Sequence, residues 1–202
     1  MPEIEIEAEA LKKVAEELVA FSKKRTPKVM SMALNDAAIA TKTEAKRQIL
    51  SSYELKSSYV NKKLSLKKAY ASNLNAVVSA IDNRIGLVHF LVEPKKPPQK
   101  RGANSRRKAA IKPVKVKIKN DEKVVKIKPS PFVQKANGAI NVFARTGKSR
   151  FPIKRLSTVG VAEMVASKEI SKNVTDFAQK KIDERVQHHI GREMEKIKGG
   201  SK

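Results

Sequence analysis

Apolar side chains recur every three to four positions in two long stretches near the start of the chain. The first covers residues 4–23 and the second covers residues 27–50. This spacing predicts two helices that each bury one face. Threonine is favoured just before a helix and proline is tolerated in its first turn, so Thr26-Pro27 marks the start of the second helix. A third, short helix is predicted over residues 57–64.

The buried stripe of the second predicted helix is rich in alanine. Ala37, Ala38 and Ala45 all fall on it. Small side chains on one face let a neighbouring helix approach closely, because the distance between helix axes depends on the side chains at the contact. We therefore expect tight packing here rather than a ligand groove.

From residue 74 the apolar spacing changes to every second residue, which is the period of a strand. Residues 74–81 alternate, a turn follows at residues 82–84, and a nearly continuous apolar run covers residues 85–92. These two runs are predicted to pair. His89 lies inside the second run and is predicted to be a packed core histidine, because no second ligand stands at metal-binding spacing.

Two hairpins are predicted further along the chain. In the first, valine and isoleucine alternate with lysine over residues 114–119 and 125–128. In the second, residues 132–135 join residues 140–145 through an Asn-Gly turn. The first hairpin has an apolar face and a lysine face, and the lysine face is expected to meet solvent or DNA.

The final helix is predicted to begin near Val161 and to reach Lys196. Its apolar residues are mostly four positions apart, so the apolar stripe drifts round the helix. We expect its first half to pack on the sheet and its second half to curve or to meet another subunit. His188 and His189 are expected on the surface, since adjacent histidines point to different faces and the His-Glu-x-x-His metal motif is missing.

These patterns predict an α+β fold. N-terminal helices, an antiparallel sheet of about four to six strands and a long C-terminal helix form one domain over residues 1–202. Residues 93–112 are rich in proline and in basic residues and show no buried-face period. This stretch is predicted to be a mobile basic loop.

Length and composition exclude several classes of protein. The 202 residues are 40% hydrophobic, which is enough for a modest core. No stretch approaches the ~20 apolar residues of a membrane span, and the acidic start differs from a secretory signal, so no membrane partner is expected. Zero cysteines exclude disulfides, zinc–thiolate sites and cysteine nucleophiles.

The net charge of +24 is concentrated in the middle of the chain. Residues 1–20 carry six Glu and two Lys, whereas residues 94–155 carry twenty Lys or Arg and two acids. Such a potential attracts polyanions and releases counterions on contact. The same charges also suit a solvated surface, and both interpretations are open. The candidate nucleic-acid contacts are Lys115, Lys117, Lys119, Lys126, Lys128, Arg106, Arg107 and Lys108.

Gly147-Lys148-Ser149 resembles the end of a phosphate-binding loop, but its surroundings do not fit. That loop needs a glycine five residues before the Gly-Lys pair and must open directly into a helix. Position 142 is Val, and Pro152 follows shortly after the serine. The segment is better interpreted as a strand that leaves the second hairpin and turns at Gly147.

The sequence contains no recognisable catalytic, cofactor-binding or metal-binding constellation. Acid–base chemistry needs paired groups in separated environments, whereas the acids here lie on helix faces opposite lysines. The protein is therefore predicted not to be an enzyme. A helix-turn-helix DNA reader over residues 27–64 is disfavoured, because the turn is long and the helix after it is short.

Residues 132–165 carry a resemblance to a known family. They contain Phe-Val, a turn, a strand ending in Arg, then Gly-Lys-Ser-Arg-Phe-Pro-Ile, Lys-Arg-Leu and a small apolar helix start. This order is similar to that of neck and tail-completion proteins of long-tailed bacteriophages, in particular the prophage minor tail protein Z family. The resemblance implies a structural protein that forms a ring, hexameric in the family, at the head-proximal end of the tail.

The same resemblance implies a set of partners and a location. The partners would be other copies of the chain, a tail terminator or tail tube protein, and head-completion or connector proteins. The protein would take part in head–tail joining, possess no cofactor, and reside in the virion neck after assembly in the host bacterial cytoplasm. DNA in the neck would be a contact without sequence specificity.

The matching segment supplies a candidate interface. Phe151 and Ile153 are expected to anchor it by burial, while its basic residues would face an acidic partner ring or DNA. The candidate residues are Arg145, Gly147, Lys148, Arg150, Phe151, Pro152, Ile153, Lys154 and Arg155.

The rival hypothesis is a free-standing basic protein that binds nucleic acid without sequence preference, such as a nucleoid or ribosome-associated factor. The neighbouring genes discriminate between the two hypotheses. Tail terminator and tape-measure genes alongside favour the neck protein.

Limited trypsin digestion tests the predicted basic loop. Because residues 93–112 combine proline, like charge and no apolar period, trypsin should cut there first and leave two associated fragments. The cut sites are read by mass spectrometry. First cuts elsewhere, with this stretch protected in the free monomer, contradict the loop.

Overall fold

The computed structural model describes residues 3–5, 25–81, 83–97, 113–123, 125–126, 131–136 and 138–199. Its helices are α1 (Thr26–Ser52), α2 (Ser57–Lys63), α3 (Val161–Val165) and α4 (Lys168–Gly199). Its strands are β1 (Glu3–Glu5), β2 (Leu64–Lys67), β3 (Val77–Ala80), β4 (Ile85–Gly86), β5 (Leu91–Glu93), β6 (Lys115–Lys117), β7 (Val125–Lys126), β8 (Phe132–Ala136), β9 (Ala139–Arg145), β10 (Ile153–Arg155) and β11 (Ser157–Thr158). The α+β class with a long C-terminal helix is confirmed.

The strands form several small antiparallel sheets, where the sequence suggested a sheet of about four to six strands. Within the described ranges the strand orders are β1-β3-β2, β10-β9-β8, β11-β4 and β5-β6-β7. Most of these strands are only two to five residues long. Short strands end at turns before a wide sheet can be built.

The chain divides into two compact units whose segments alternate along the sequence. Unit 1 comprises Met1–Ile49, Asn61–Asp82 and Val161–Lys202, and unit 2 comprises Leu50–Val60 and Asn83–Gly160. Each unit is therefore built from segments that are distant in sequence.

The predicted pairing of residues 74–81 with residues 85–92 is wrong. In unit 1, β3 lies between β1 and β2. In unit 2, β4 pairs with β11 and β5 pairs with β6. A 3-10 turn at Leu87–His89 interrupts the second apolar run, so this run cannot form one continuous strand.

The core of unit 1 is built on the small side chains of α1. Ala33, Ala37 and Ala38 are completely buried, which confirms the alanine stripe. Ile182 of α4 and Val78 of β3 belong to the same cluster. Because alanine projects so little from the helix, the neighbouring elements can approach α1 closely.

Asn35 of α1 clamps the chain that follows β2. Its Nδ2 donates a hydrogen bond of 2.9 Å to the Ala69 carbonyl, and the Ala69 N–H donates one of 2.8 Å to its Oδ1. Tyr70 and Asn73 then exchange backbone hydrogen bonds of 2.9 and 3.0 Å across a tight turn. The clamp satisfies a backbone donor and acceptor that no strand ladder serves.

The first predicted helix is contradicted at its start. Ile4 lies in β1, where its Cα partner is Val78 of β3. The sequence Glu-Ile-Glu-Ile-Glu at residues 3–7 alternates with the period of a strand, a signal that the longer helical pattern obscured. The rest of this prediction, residues 6–23, lies outside the described residues.

The single C-terminal helix predicted from Val161 is two helices. The Ser167 hydroxyl donates to the Met164 carbonyl at 2.7 Å, and the Ser167 carbonyl accepts from the Ser171 N–H at 2.9 Å. α3 therefore ends just before Ser167, and α4 begins just after it. Serine side chains that bond to nearby backbone compete with helix continuation in this way.

The second half of α4 packs against α1 within unit 1. His189 is 8% exposed, and its Nε2 lies 2.9 Å from Asp36 Oδ2. The expectation that both histidines lie on the surface is therefore wrong for His189. It stands three residues after the buried Val186 and seven after the buried Ile182, which places it on the same helix face.

Unit 2 contains both predicted hairpins. β6 pairs with β7, with Val116 opposite Val125. β8 pairs with β9 over five residue pairs, and Gly138 in their turn has φ of +78°. This left-handed backbone region is easily reached by glycine, which explains the Asn-Gly signal.

Removal of the Asn35 amide should destabilise unit 1. We expect Asn35→Ala to lower the free energy of unfolding by about 1–3 kcal/mol, because two partly buried backbone groups of Ala69 lose their partner. Urea denaturation followed by circular dichroism measures the change. Asn75→Ala is the control, since Asn75 is exposed. Equal effects of the two substitutions contradict the clamp.

Candidate interface

The segment with the family resemblance forms a loop between two paired strands. β9 and β10 are antiparallel, with Arg145 opposite Ile153 and Phe143 opposite Arg155. At the base of the loop, the Thr146 N–H and hydroxyl both donate to the Pro152 carbonyl, at 3.2 and 3.1 Å. Residues 146–152 are all exposed. We call residues 146–152 the β9–β10 loop.

The loop has the predicted strand-and-turn form. Gly147-Lys148-Ser149 lies between antiparallel strands, and the next element is β10 rather than a helix. A phosphate-binding loop requires a helix N-terminus immediately after the lysine. The geometry therefore agrees with the exclusion of nucleotide binding at this motif.

The structure contradicts the predicted burial of Phe151. Its side chain was expected to anchor the segment by burial, yet it is 63% exposed. Ile153, the other expected anchor, is half-buried. Phe151 lies in the β9–β10 loop rather than on a strand, so no sheet face covers it. The Arg150 guanidinium lies 5.6 Å from the ring centroid, in the range of a cation–π contact.

Two arginines are positioned by packing on the strands beside the loop. Arg145 lies over the Phe132 ring, with its Cζ 5.3 Å from the centroid. The Arg155 guanidinium packs on Gly86, where an added Cβ would lie 3.1 Å from its Nε. A Cβ at position 86 would require this guanidinium to shift by a few tenths of an ångström. The sequence predicted that both arginines belong to the site, but it did not show what holds them.

The basic residues of the segment are not neutralised. None of them forms an ion pair with a carboxylate among the residues that the structure describes. Their charges are therefore available to an external anion. The residues concerned are Arg145, Lys148, Arg150, Lys154 and Arg155.

The lysine face of the β6–β7 hairpin is only partly free. Lys115 and Lys119 are exposed, while Lys117 is half-buried. Lys119 Nζ lies 3.5 Å from Glu122 Oε1. Lys115 stands opposite Glu93 of β5 on one side and Lys126 of β7 on the other.

The remaining predicted nucleic-acid contacts fall on parts of the chain that the structure does not describe. Lys128 and the predicted contacts at positions 106–108 (Arg106, Arg107 and Lys108) lie outside the described residues, as does most of the predicted basic loop. The described lysines alone offer DNA fewer exposed, unpaired charges than the sequence suggested.

His89 is not a core histidine. Its side chain is exposed, and its ring centroid lies 4.4 Å from that of Tyr59. The prediction failed because the 3-10 turn at Leu87–His89 changes which residues face inwards. Over the described part of the chain, no group of three or more His, Asp or Glu side chains could hold a metal ion.

The family comparison agrees with the segment resemblance. A family model described as Prophage minor tail protein Z (GPZ) matches residues 9–198. The chain belongs to the prophage minor tail protein Z family. It is thus a phage minor tail protein, and its family is structural and not known for enzymes. Its expected partners are phage tail proteins, and its expected location is the virion.

Searches of curated proteins and of solved structures returned no match. The membership of the minor tail protein Z family therefore rests on the family model, which covers nearly all of the 202 residues. Among the described helices, none has both the length and the apolarity needed to cross a bilayer.

The lysine face allows a test of DNA contact. We expect the protein to bind duplex DNA weakly and without sequence preference, with an affinity that falls steeply as salt rises, because binding releases counterions. Replacing Lys115 and Lys119 with alanine should reduce the slope of log K against log salt by about two. Fluorescence anisotropy at several salt concentrations measures the slope.

The matched control replaces two exposed lysines of α4, Lys172 and Lys180, with alanine. This double variant loses the same charge, but its slope of log K against log salt should stay closer to that of the parent protein. Sequence preference that survives at high salt would instead favour a dedicated DNA reader.

Proposed function

We propose that this minor tail protein is a tail-completion or neck subunit. It forms a ring at the head-proximal end of the tail and takes part in joining the tail to the head. The observation that carries the proposal is the exposure of Phe151 in a basic loop whose base is held by hydrogen bonds. The family membership supports the tail location.

The β9–β10 loop has the chemistry of a protein contact. Burying a phenylalanine side chain that is now exposed contributes about 1.5–3 kcal/mol. Aromatic residues and arginine are enriched among the side chains that dominate binding energy at interfaces. The Thr146–Pro152 hydrogen bonds constrain the loop before binding, which lowers the entropic cost of ordering it.

The charges of the segment define the partner surface. The segment carries five cations with no ion-pair partner among the described residues and one exposed aromatic ring, so the complementary surface is an apolar pocket with an acidic rim. In a ring, the next copy presents this surface, and head-to-tail contacts close by rotation. At the end of the tail, a tail terminator, tail tube or connector protein would present the pocket instead.

A second function follows from the lysine face of the β6–β7 hairpin. Lys115 and Lys119 are exposed on one short hairpin of a chain with a net charge of +24. In a neck through which DNA passes, these side chains would contact the phosphate backbone without sequence preference. The rival protein, a free-standing nucleic-acid binder, would use the same face without any need for the β9–β10 loop.

The aspartate variant Phe151→Asp tests the proposed function. We expect it to fold normally and to fail to enter tails, because the aromatic anchor is lost and a negative charge is placed among the cations. Complementation of a phage that lacks the protein, followed by electron microscopy and plaque counting, measures incorporation and infectivity. Purified alone, the parent protein should be monomeric or weakly associated, and it should form rings when its tail partner is added.

Leu91→Asp is the matched control, since Leu91 is 37% exposed in the same unit and lies outside the β9–β10 loop. This variant should join tails normally. Circular dichroism must show that both variants are folded. If folded Phe151→Asp gives fully joined, infectious particles, the β9–β10 loop is not part of the interface.

A further inference from the structure

Unit 2 contains a cleft of about 400 Å³ beside the C-terminal end of α1. Leu50, Tyr53 and Leu55 supply its apolar surface, and all three side chains are half-buried. Glu54 and Lys117 supply its charged groups. Every residue that lines the cleft belongs to unit 2. We call it the Tyr53 cleft.

Hydrogen bonds fix the walls of the Tyr53 cleft. The Asn120 side-chain Nδ2 donates to the carbonyls of Leu50 and Ser51, at 3.0 and 2.8 Å. The Glu54 N–H donates to the Ile118 carbonyl at 2.9 Å. These bonds join the end of α1 to the chain that follows β6. The cleft is therefore formed before a partner arrives, which lowers the entropic cost of binding.

We propose that the Tyr53 cleft of one copy receives Phe151 of the next copy. The inference rests on the proposed function, because it takes the β9–β10 loop to be the contact between copies. No residue belongs to both the loop and the lining of the cleft. The contact is therefore head-to-tail, and contacts of this type close into a ring.

The Tyr53 cleft has the size and the lining that a phenylalanine ring needs. Its volume of about 400 Å³ lies in the range of pockets that enclose small ligands. The two leucines offer apolar contact, and the Tyr53 ring offers an edge-to-face or offset-stacked partner. Phe151 is 63% exposed in the single chain, so docking would remove apolar surface of both copies from water.

The acidic residues of unit 2 concentrate at this cleft. The unit has only four acids in its sequence, against a large excess of Lys and Arg. Three of the four line the cleft or directly follow Asn120 in the turn between β6 and β7. A segment with five cations therefore meets fewer like charges here than elsewhere on the unit. The three acids are Glu54, Asp121 and Glu122.

Two of these acids are available to an incoming loop. Glu122 Oε1 lies 3.5 Å from Lys119 Nζ, so this carboxylate is already paired. Glu54 and Asp121 form no ion pair among the residues that the structure describes. We expect the guanidinium of Arg150, which precedes Phe151 in the loop, to pair with Glu54 of the next copy.

The cations near the Tyr53 cleft leave this pairing open. Lys117 is the one cation of the lining, and it is half-buried. Lys56 and Lys123, the other lysines close in sequence, do not line the cleft. The cleft is thus an apolar pocket with a carboxylate at its edge, which is the surface that the β9–β10 loop requires.

Cysteine cross-linking in assembled tails tests the contact, because the chain has no cysteine of its own. One variant carries Ser57→Cys in the lining of the cleft, and a second carries Ser149→Cys in the β9–β10 loop. Both are supplied together to a phage that lacks the protein. A short bifunctional maleimide should link position 57 of one copy to position 149 of another. Mass spectrometry of the linked peptides identifies the two positions.

Ser157→Cys, supplied with Ser149→Cys, is the matched control. Ser157 is exposed in unit 2 and does not line the cleft. Replacing Ser57→Cys by this variant should abolish the link to position 149. Tails that contain both Ser57→Cys and Ser149→Cys but show no link between them overturn the proposal. A link from position 149 to another tail protein alone overturns it as well.

A charge exchange gives an independent measurement. Glu54→Arg should lower the yield of infectious particles about tenfold, because it adds a cation opposite the loop. Arg150→Glu alone should also lower the yield, and the two changes in one chain should restore most of it. Glu93→Arg is the control, since Glu93 is the one acid of unit 2 away from the cleft, and it should join tails normally. Circular dichroism confirms that each variant is folded.

These outcomes separate the inference from the proposed function. If folded Phe151→Asp is excluded from tails but the double exchange restores nothing, the loop is an interface and the Tyr53 cleft is not its receptor. If folded Phe151→Asp joins tails normally, the proposed role of the loop fails, and the inference fails with it.

Discussion

The packing of side chains on the buried face of α1 is the interaction on which unit 1 depends. Its buried face combines alanines and Thr41, whose hydroxyl donates to the Ala37 carbonyl of the same helix at 2.8 Å, with the larger Met30 and Leu34. The alanines leave room between the larger side chains, and Ile182 of α4 and Val78 of β3 belong to the same buried cluster. A larger residue here would separate all three elements at once. His189 of α4 lies within hydrogen-bonding distance of Asp36 on the same helix.

Local periodicity predicted the elements well and their partners poorly. The apolar spacing of α1 and the turn at Gly138 are local properties of the sequence, and both agree with the structure. The pairing of β3 was missed because strands adjacent in sequence were assumed to be adjacent in space. In fact the boundary between the two units falls at residue 82, between those two strands. The spacing of apolar residues can identify a strand, but it cannot identify the unit to which that strand belongs.

The candidate interface was located by sequence, whereas its physical character came from the structure. The order of residues around Gly147 identified the segment, but apolar character alone suggested that Phe151 is buried. Burial depends on what lies opposite a side chain, and a loop between two strands has no such neighbour in the sequence. The packing of Arg155 was equally invisible, because its guanidinium lies against Gly86, far away in the chain.

The alternation of the two units along the chain imposes an order on biosynthesis. Every residue of unit 2 precedes Val161, so this unit can be complete while the ribosome is still translating. Unit 1 cannot be completed until α4 has been made, since α4 covers the alanine face of α1. A chain that terminates early thus carries a finished unit 2 and an uncovered hydrophobic helix. Exposed apolar surface of this kind is what chaperones and proteases act on, which gives the cell a means to remove incomplete copies.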